Sequence, residues 1–214
     1  NRDVYLQSAT GQTPINLTAD SMDDDDQPAF SPDGERIAFR SSRDGGGVFV
    51  MGRTGEAVRR VTRAGFKPTW SPDGSEIALT SENADLDPQN TLGLSALWVV
   101  NVASGERRQL GNVDAVLPSW SPHGHRIAYT TRGAKAGSTR LDIWTVDRSG
   151  ANPVAVTTDG ALNWNPVWSP DGHHLYFVSG RGGPVNLWRV AIDETSGKTS
   201  GRPEPVTTPA PFVT

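Results

Sequence analysis

Short runs of one polar residue followed by apolar residues recur along the chain, and each run follows a turn-forming sequence. One of them, Arg36-Ile37-Ala38-Phe39, comes directly after Ser-Pro-Asp-Gly and one further residue, and similar runs occupy 76–79, 126–129 and 174–177. A short apolar run that is bounded by turn signals is consistent with a buried β-strand. Pro, Asp and Gly suit the second, third and fourth positions of a tight turn. The pattern therefore predicts four β-hairpins.

A twelve-residue phrase that contains this hairpin occurs four times. The copies are PAFSPDGERIAF at 28–39, PTWSPDGSEIAL at 68–79, PSWSPHGHRIAY at 118–129 and PVWSPDGHHLYF at 166–177. They begin 40, 50 and 48 residues apart, which suits a four-stranded propeller blade and exceeds a leucine-rich or ankyrin unit. A strand carrying an aromatic residue and a strand usually ending in an apolar-Thr pair follow each phrase. We therefore predict an all-β protein, a β-propeller of four-stranded antiparallel blades.

The repeat assigns nearly the whole chain to one propeller. Complete blades are predicted over 28–62, 68–110, 118–157 and 166–207. Val4-Tyr5-Leu6 matches a third strand and Leu17-Thr18 the end of a fourth strand, so 1–18 is expected to be the outer half of a further blade. Residues 209–214 are expected to be a stub that approaches another first strand.

The pattern x-Pro-x-Trp-Ser-Pro-Asp-Gly-x-x-Ile-Ala-Phe resembles the TolB-type WD40-like repeat, the Pro-Asp variant of propeller repeats. The resemblance covers almost the whole chain, and the Trp-Asp pair of WD40 repeats proper is absent. It implies a closed ring, usually of six blades in TolB itself. Four and a half blades would leave unpaired strand edges, so a longer parent chain, a five-blade closure and completion by a second chain all stay open.

Composition narrows the possible functions. The net charge of −4 argues against a nucleic-acid-binding surface, which needs a basic excess. No apolar run approaches the ~18 residues of a membrane-spanning helix. The chain has no cysteine, which excludes disulfides, thiolate chemistry and Cys-ligated zinc. It begins at Asn1 without a signal-like segment, so we expect either that something was removed or that this is a piece of a longer protein.

Six of the seven tryptophans fall at equivalent positions of the repeat, which predicts packing between blades and not ligand binding. They are Trp70, Trp120 and Trp168 in first strands and Trp98, Trp144 and Trp188 in third strands. The seventh, Trp164, is expected in the connection between a fourth strand and the next first strand. An indole in a loop is a candidate for partner binding.

Propeller geometry places the loops from second to third strands, and from fourth strands to the next blade, on one face. We call it the top face, and we expect function there because the tight turns on the other face are scaffold. It carries the acidic stretch 20–27, loop arginines and the longest insertion, 81–95. We expect the acidic residues and Trp164 to converge near the channel mouth, with arginines around it. The predicted binding residues are Asp23, Asp24, Asp25, Asp26, Arg43, Arg132, Trp164 and Arg181.

Neither a metal, a cofactor nor a catalytic group is predicted. The aspartates lack the D-x-D-x-D-G pattern of a calcium loop, so a solvated acidic loop or one that recruits a basic partner is favoured. The histidines His123, His125, His173 and His174 lie in or just after the tight turns of neighbouring blades, too far apart for zinc. The G-x-S-x-G, P-loop and H-E-x-x-H motifs are absent.

These observations favour a non-enzymatic module that binds a protein or peptide at the channel mouth. The resemblance implies a TolB-like adaptor or an extracytoplasmic sensor domain, in the periplasm or elsewhere outside the cytoplasm. The alternative is the gating propeller of a prolyl-oligopeptidase-like serine peptidase whose catalytic domain lies outside this chain. A propeller lyase is a third possibility, without a matching set of residues. We expect the chain neither to bind nucleic acid nor to span a membrane.

Overall fold

The computed structural model describes residues 1–82, 94–132 and 140–207 of the chain. Within these ranges the regular structure is almost entirely β-strand, arranged in antiparallel sheets of two or four strands. The predicted all-β propeller class is therefore confirmed, and the sheets do not close into a ring. Most of the predicted insertion and the predicted stub 209–214 lie outside the described residues.

Each four-stranded sheet is built from strands that are consecutive in the chain. The half-blade pairs β1 with β2, and blades 1 to 4 follow it. The half-blade consists of β1 Tyr5–Leu6 and β2 Ile15–Asn16, and blade 1 of β3 Asp25–Phe30, β4 Arg36–Ser41, β5 Gly47–Gly52 and β6 Arg59–Thr62. Blade 2 consists of β7 Phe66–Trp70, β8 Glu76–Thr80, β9 Leu97–Asn101 and β10 Arg107–Gln109, and blade 3 of β11 Val116–Trp120, β12 Arg126–Arg132, β13 Leu141–Asp147 and β14 Val154–Ala155. Blade 4 consists of β15 Asn163–Trp168, β16 His174–Ser179, β17 Asn186–Ile192 and β18 Thr199–Pro205.

The Ser-Pro-Asp-Gly turns join first to second strands, as the sequence predicts. In blade 1 the Arg36 N–H donates to Ser31 Oγ at 2.9 Å, and the Ser31 hydroxyl donates to Asp33 Oδ1 at 2.5 Å. The hydrogen bond from Ser31 lowers the pKa of the Asp33 carboxyl. Gly34 has a φ of 71°, a left-handed conformation that glycine adopts without strain. The turn is thus held together inside its own blade.

In blade 3 the turn is hydrogen-bonded to a carboxylate that belongs to blade 4. His123 stands where the other turns have aspartate, and Glu194, from the turn after β17 in blade 4, reaches across to it. Glu194 Oε1 accepts the His123 N–H at 3.0 Å, and Oε2 lies 2.6 Å from His123 Nδ1. Glu194 is buried, and although burial raises the pKa of its carboxyl, hydrogen bonds from Ser121 and His123 lower it overall. This contact links two blades.

The core lies between adjacent blades. Trp70 of blade 2 packs with Ala38 and Val48 of blade 1, and its indole N–H donates to the Ala29 carbonyl at 3.0 Å. The equivalent Trp120 and Trp168 of blades 3 and 4 are buried as well, but their indole N–H groups have no hydrogen-bond partner among the described residues. The predicted role of these tryptophans in packing is confirmed. Phe30 holds the same position in blade 1 but is 55% exposed.

Every first strand carries a β-bulge just before its proline. The register shifts there in all four blades. The residue before the proline has a φ between 53° and 56° in each: Gln27, Lys67, Leu117 and Asn165. Positive φ is unfavourable for residues other than glycine, so the pairing on both sides of the bulge must hold it in place. The bulge belongs to the scaffold because it recurs in every blade.

Candidate functional site

The acidic stretch of the top face is divided between a loop and a strand. Asp23 and Asp24 are exposed, whereas Asp25 and Asp26 begin β3 and lie at the top of blade 1. The expectation that all four stand in a loop is therefore wrong for Asp25 and Asp26. They enter the strand because β3 pairs with β4 as far as Asp25, opposite Ser41.

The first residues of the chain hold this loop in place. The Arg2 N–H donates to Asp24 Oδ1 at 2.8 Å, and the Arg2 guanidinium forms an ion pair with Asp26 at 2.6 Å. The Asn1 side-chain amide donates to the carbonyl oxygens of Ser21 and Asp23 at 3.0 and 3.2 Å. The charge of Asp26 is thus offset by Arg2, while the side chain of Asp23 extends into solvent.

Arg43 fills the top of blade 1. Its guanidinium lies 2.8 Å from Asp25 Oδ2, and the two side chains are 15% and 0% exposed. Its backbone N–H and Nε both donate to Ser41 Oγ, and the guanidinium stacks over the rings of Phe39 and Phe49 at 5.4 and 5.7 Å. An arginine expected at the rim is therefore mostly buried in an ion pair within its blade.

Blade 4 repeats this arrangement around Arg181, with Asn163 at the position of Asp25, and the guanidinium also forms an ion pair at 2.9 Å with Asp159, in the connection before β15. Arg181 Nη2 donates to Asn163 Oδ1 at 2.9 Å, and its Nε donates to Ser179 Oγ at 3.1 Å. Its guanidinium stacks over Phe177 and Trp188 at 5.2 and 5.1 Å. Burial lowers the pKa of Arg181, because removing a cation from water disfavours the charged form.

Arg132 of blade 3 is also engaged with a carboxylate of its own blade. Its Nε and Nη2 donate to the two oxygens of Asp114 at 2.9 and 2.8 Å, a bidentate geometry. Both side chains are mostly buried, at 15% and 14% exposed. The partners Asp114, Asn163, Ser41 and Ser179 were not predicted from the sequence. The common Ser-x-Arg spacing in 41–43 and 179–181 was the signal that could have found the serines.

Trp164 lies in a strand and not in a loop. It is the second residue of β15, opposite Val178, and is half-buried. The equivalent positions of the other blades hold Asp26, Phe66 and Val116. The placement of Trp164 in the connection before the first strand is therefore wrong, because β15 begins one residue earlier, at Asn163. Its half-exposed indole stays a predicted contact residue.

The loop ahead of β3 carries several side chains that face solvent. Met22 is 93% exposed in the loop ahead of β3, and the side chains of Asp20, Asp23 and Asp24, close to it in sequence, are exposed as well. The three predicted arginines point their charge into their own blades. The exposed charged side chains of this loop are acidic, and Met22 adds an apolar side chain. A loop of this composition can attract a cationic, partly apolar segment.

The described residues hold neither a metal cluster nor a membrane-spanning helix. In 1–82, 94–132 and 140–207, no group of three or more His, Asp or Glu side chains has a geometry that could hold a metal ion. No helix in these ranges is long and apolar enough to cross a membrane.

Two curated relatives share sequence with most of the chain. The "Uncharacterized peptidase YuxL" of Bacillus subtilis is 28% identical over 158 residues, which is 70% of this chain and 21% of the relative. The "Uncharacterized protein Atu1656" of Agrobacterium fabrum is 26% identical over 175 residues, 79% of this chain and 55% of the relative. The chain therefore spans about a fifth and about half of the length of these two relatives.

Solved structures show the same fold. A putative TolB from Agrobacterium tumefaciens matches with a TM-score of 0.71 and 20% identity, over 92% of this chain and 72% of that chain. A structure from a study of two prolyl endopeptidases matches with a TM-score of 0.59 and 14% identity, over 83% of this chain and 29% of that chain. The resemblance to TolB-type propellers is thus confirmed at the level of the fold.

The family model agrees with the architecture. The model described as "Tricorn protease N-terminal beta propeller domain" matches residues 1–200, which includes the half-blade and nearly all of the four blades. The repeat pattern, the consecutive four-stranded sheets and this match lead to one conclusion: the chain belongs to the tricorn protease N-terminal β-propeller domain family.

Proposed function

We propose that this propeller is a non-enzymatic module that binds an extended, basic protein or peptide segment at the top face. The observation that carries the proposal is the loop around Met22, where a 93% exposed apolar side chain lies among exposed aspartates. The loop is anchored by Asn1 and Arg2, so little ordering is needed when it meets a partner. Binding and recognition residues are often found on loops held by a rigid scaffold.

The partner's chemistry follows from the charges of the top face. Arg43, Arg132 and Arg181 are each paired or hydrogen-bonded, so the exposed aspartates set the sign of the loop ahead of β3, while the exposed Arg63 lies in the next connection, after β6. A lysine- or arginine-rich segment gains attraction to Asp23 and Asp24, and an apolar residue in it gains contact with Met22. The half-exposed Trp164 offers an aromatic surface on a first strand of blade 4, and indoles are enriched at such contacts.

Charge reversal of two exposed aspartates tests the proposal. The double substitution Asp20→Lys and Asp23→Lys, which leaves the hydrogen bond from Arg2 to Asp24 in place, is measured against a fluorescein-labelled peptide of alternating lysine and leucine, with an alternating glutamate and leucine peptide as comparison. We expect the lysine peptide to bind the original chain, to weaken with added salt, and to lose at least about tenfold in affinity in the variant, corresponding to about 1.4 kcal/mol.

The matched control reverses two exposed carboxylates near turns of the opposite face, Glu35→Lys and Glu106→Lys. This variant carries the same net charge as the first and should bind the lysine peptide as the original does. Equal weakening in both variants would show an effect of net charge alone, and an unchanged affinity in the first variant would remove the acidic loop from the proposal. Melting temperatures confirm that both variants are folded.

A second candidate function is the gating propeller of a serine peptidase. It is favoured by the relative that is described as a peptidase and of which this chain matches a fifth, and catalysis would then take place outside these residues. Sequencing the source gene on both sides of these codons separates the candidates. A downstream G-x-S-x-G with Asp and His partners favours the gate, whereas one more blade behind a signal peptide favours a periplasmic adaptor. The resemblance to TolB-type propellers supports an extracytoplasmic location.

A further inference from the structure

A basic surface lies along the outer edge of blade 1, although the net charge of the chain is −4. Arg59 and Arg60 belong to β6, Arg63 follows this strand directly, and Arg107 belongs to β10 of blade 2. Three of the four side chains are exposed, and Arg60 is half-buried. None of them has a carboxylate partner among the described residues. We call these four arginines the basic edge.

Arg59 and Arg107 lie in one cleft, between the outer strands of blades 1 and 2. Arg59 is paired with Val50 of β5, and Arg107 with Val100 of β9. Side chains that are directly opposite in a sheet lie on the same face, and both valines belong to the hydrophobic cluster between these two blades. Accordingly, Arg59 Nη2 reaches blade 2 and donates to the Val102 carbonyl at 3.0 Å.

The other contacts of the basic edge orient guanidinium groups without neutralising them. Arg60 Nη1 donates to the Asp44 carbonyl at 2.8 Å, and the guanidinium lies over the Phe49 ring at 5.8 Å, on the side of the half-blade. The Arg107 guanidinium lies over the Trp98 ring at 5.0 Å. A carbonyl oxygen or an aromatic ring attracts a cation but carries no net charge. Ordered cations are thus present on both faces of β6.

The carboxylates of adjoining turns do not offset this charge. Glu56 accepts hydrogen bonds from the N–H and the hydroxyl of Thr54, in its own turn, at 3.1 and 2.6 Å. Asp44 and Glu106 are exposed, and neither forms an ion pair with the basic edge. The four guanidinium groups can therefore meet the carboxylates of a partner.

β6 is also the outer strand that is best suited to accept a further strand. It ends the sheet of blade 1, with β5 on one side and no strand on the other among the described residues. It has four residues, whereas β2 and β14 have two each and β10 has three. β18 is longer but contains Pro203 and Pro205, which lack the N–H groups that strand pairing needs.

We propose that the basic edge binds an acidic segment of a partner protein, which adds to β6 as an extended strand. Backbone pairing gives such a segment affinity, and its carboxylates meet Arg59 and Arg107 on one face and Arg60 on the other. A second copy of β6 does not suit this edge, because like charges would face each other. The surface lies outside the acidic loop, so the proposal does not depend on the proposed top-face function.

Charge reversal at two exposed positions of the basic edge tests the proposal. Arg63→Glu combined with Arg107→Glu is measured by fluorescence anisotropy against a fluorescein-labelled peptide that repeats Glu-Glu-Val, which places glutamates on both faces of a strand. We expect the original chain to bind this peptide, and to bind it more weakly as salt is added. The variant should lose at least about tenfold in affinity.

Two controls separate strand addition from a general attraction between charges. Lys198→Glu combined with Arg202→Glu changes the net charge equally, at exposed residues of blade 4, and should bind the peptide as the original chain does. A peptide of the same sequence with every backbone amide N-methylated keeps its carboxylates but cannot donate to β6. It should bind at least about tenfold more weakly. Cooperative melting shows that both variants are folded.

Four results would overturn the proposal. The first is that the original chain does not bind the peptide at low salt. The second is an unchanged affinity in the variant of the basic edge, and the third is equal weakening in the blade 4 variant, which would show an effect of net charge alone. The fourth is equal binding of the N-methylated peptide, or of an oligothymidylate of the same charge. This last result would assign the edge to anionic polymers in general.

Discussion

The Ser-Pro-x-Gly turns of blades 3 and 4 have the same backbone but obtain their carboxylate from different places. In blade 4 the Ser169 hydroxyl donates to Asp171 of the same turn at 2.5 Å. In blade 3 the third position is His123, and Glu194 of blade 4 bonds to it from outside. The first arrangement stabilises one hairpin, whereas the second stabilises a hairpin and joins it to the next blade. An exchange within one repeat can thus convert a local contact into a contact between blades.

Among the substitutions that test this comparison, Glu194→Ala should cause the largest loss in the free energy of unfolding. It removes a buried acceptor from Ser121 and from the N–H of His123, so we expect a loss of about 2–3 kcal/mol in the free energy of unfolding, as for hydrogen bonds to a charged group. Urea denaturation measures it. The matched control is Glu204→Ala in the same blade, whose exposed pair with Arg189 should contribute less than about 0.5 kcal/mol. Equal effects of the two substitutions would show that the cross-blade contact is unimportant.

A smaller loss of stability is expected when the turn of blade 3 receives a carboxylate of its own at position 123. His123→Asp alone places two carboxylates beside Ser121, and their repulsion should cost about 1–2 kcal/mol. Combined with Glu194→Gln it recreates the turn of blade 4 and should recover most of that loss. A double-mutant cycle in urea measures the coupling. Additive free energies would contradict direct competition between the two carboxylates.

The pH dependence of stability should differ between the original chain and Glu194→Gln. Because the folded-state pKa of Glu194 lies below its usual value of 4.5, its stabilisation is fully present above that value and is lost as the pH falls through the folded pKa. The difference in unfolding free energy between the two chains should therefore shrink as the pH falls below about 4.5. A difference that does not change with pH would assign the effect of Glu194 to packing.

The smallest effect is expected from Asp171→Asn in the turn of blade 4. The amide oxygen still accepts from Ser169 and from the His173 N–H, so only the charge is lost, at an exposed site. We expect a smaller decrease in melting temperature than Glu194→Gln causes. A larger decrease would indicate that the turn within a blade depends on charge more than the contact between blades does.

The blades and their turns could be predicted from the sequence because four copies of one phrase report the same local structure. Proline, aspartate and glycine have fixed conformational preferences, and Gly34, Gly74, Gly124 and Gly172 all adopt the expected positive φ. The tryptophans were assigned to the core for the same reason, since a position that recurs in each blade serves what each blade requires.

The candidate site could be predicted only in part. The loop residues Asp23 and Asp24 are exposed, but the assignment of Asp25 and Trp164 to loops failed because first strands begin before the proline, ahead of a bulge that the sequence does not mark. The partners of Arg43 and Arg132 lie 18 residues away in the chain, and Glu194 lies 71 residues from His123. The first two contacts join separate segments of one blade, and the contact of Glu194 depends on how two blades face each other; the repeat alone specifies neither.

The consecutive order of strands within each sheet has a consequence for how the chain folds during synthesis. Every complete blade can form its hydrogen bonds as soon as its own strands have left the ribosome, since no pairing in blades 1 to 4 waits for a later part of the chain. Local pairing of this kind favours fast folding. The bond from Glu194 to blade 3 can then form only after the turn that follows β17 has left the ribosome, and it joins blade 4 to a blade that is already folded.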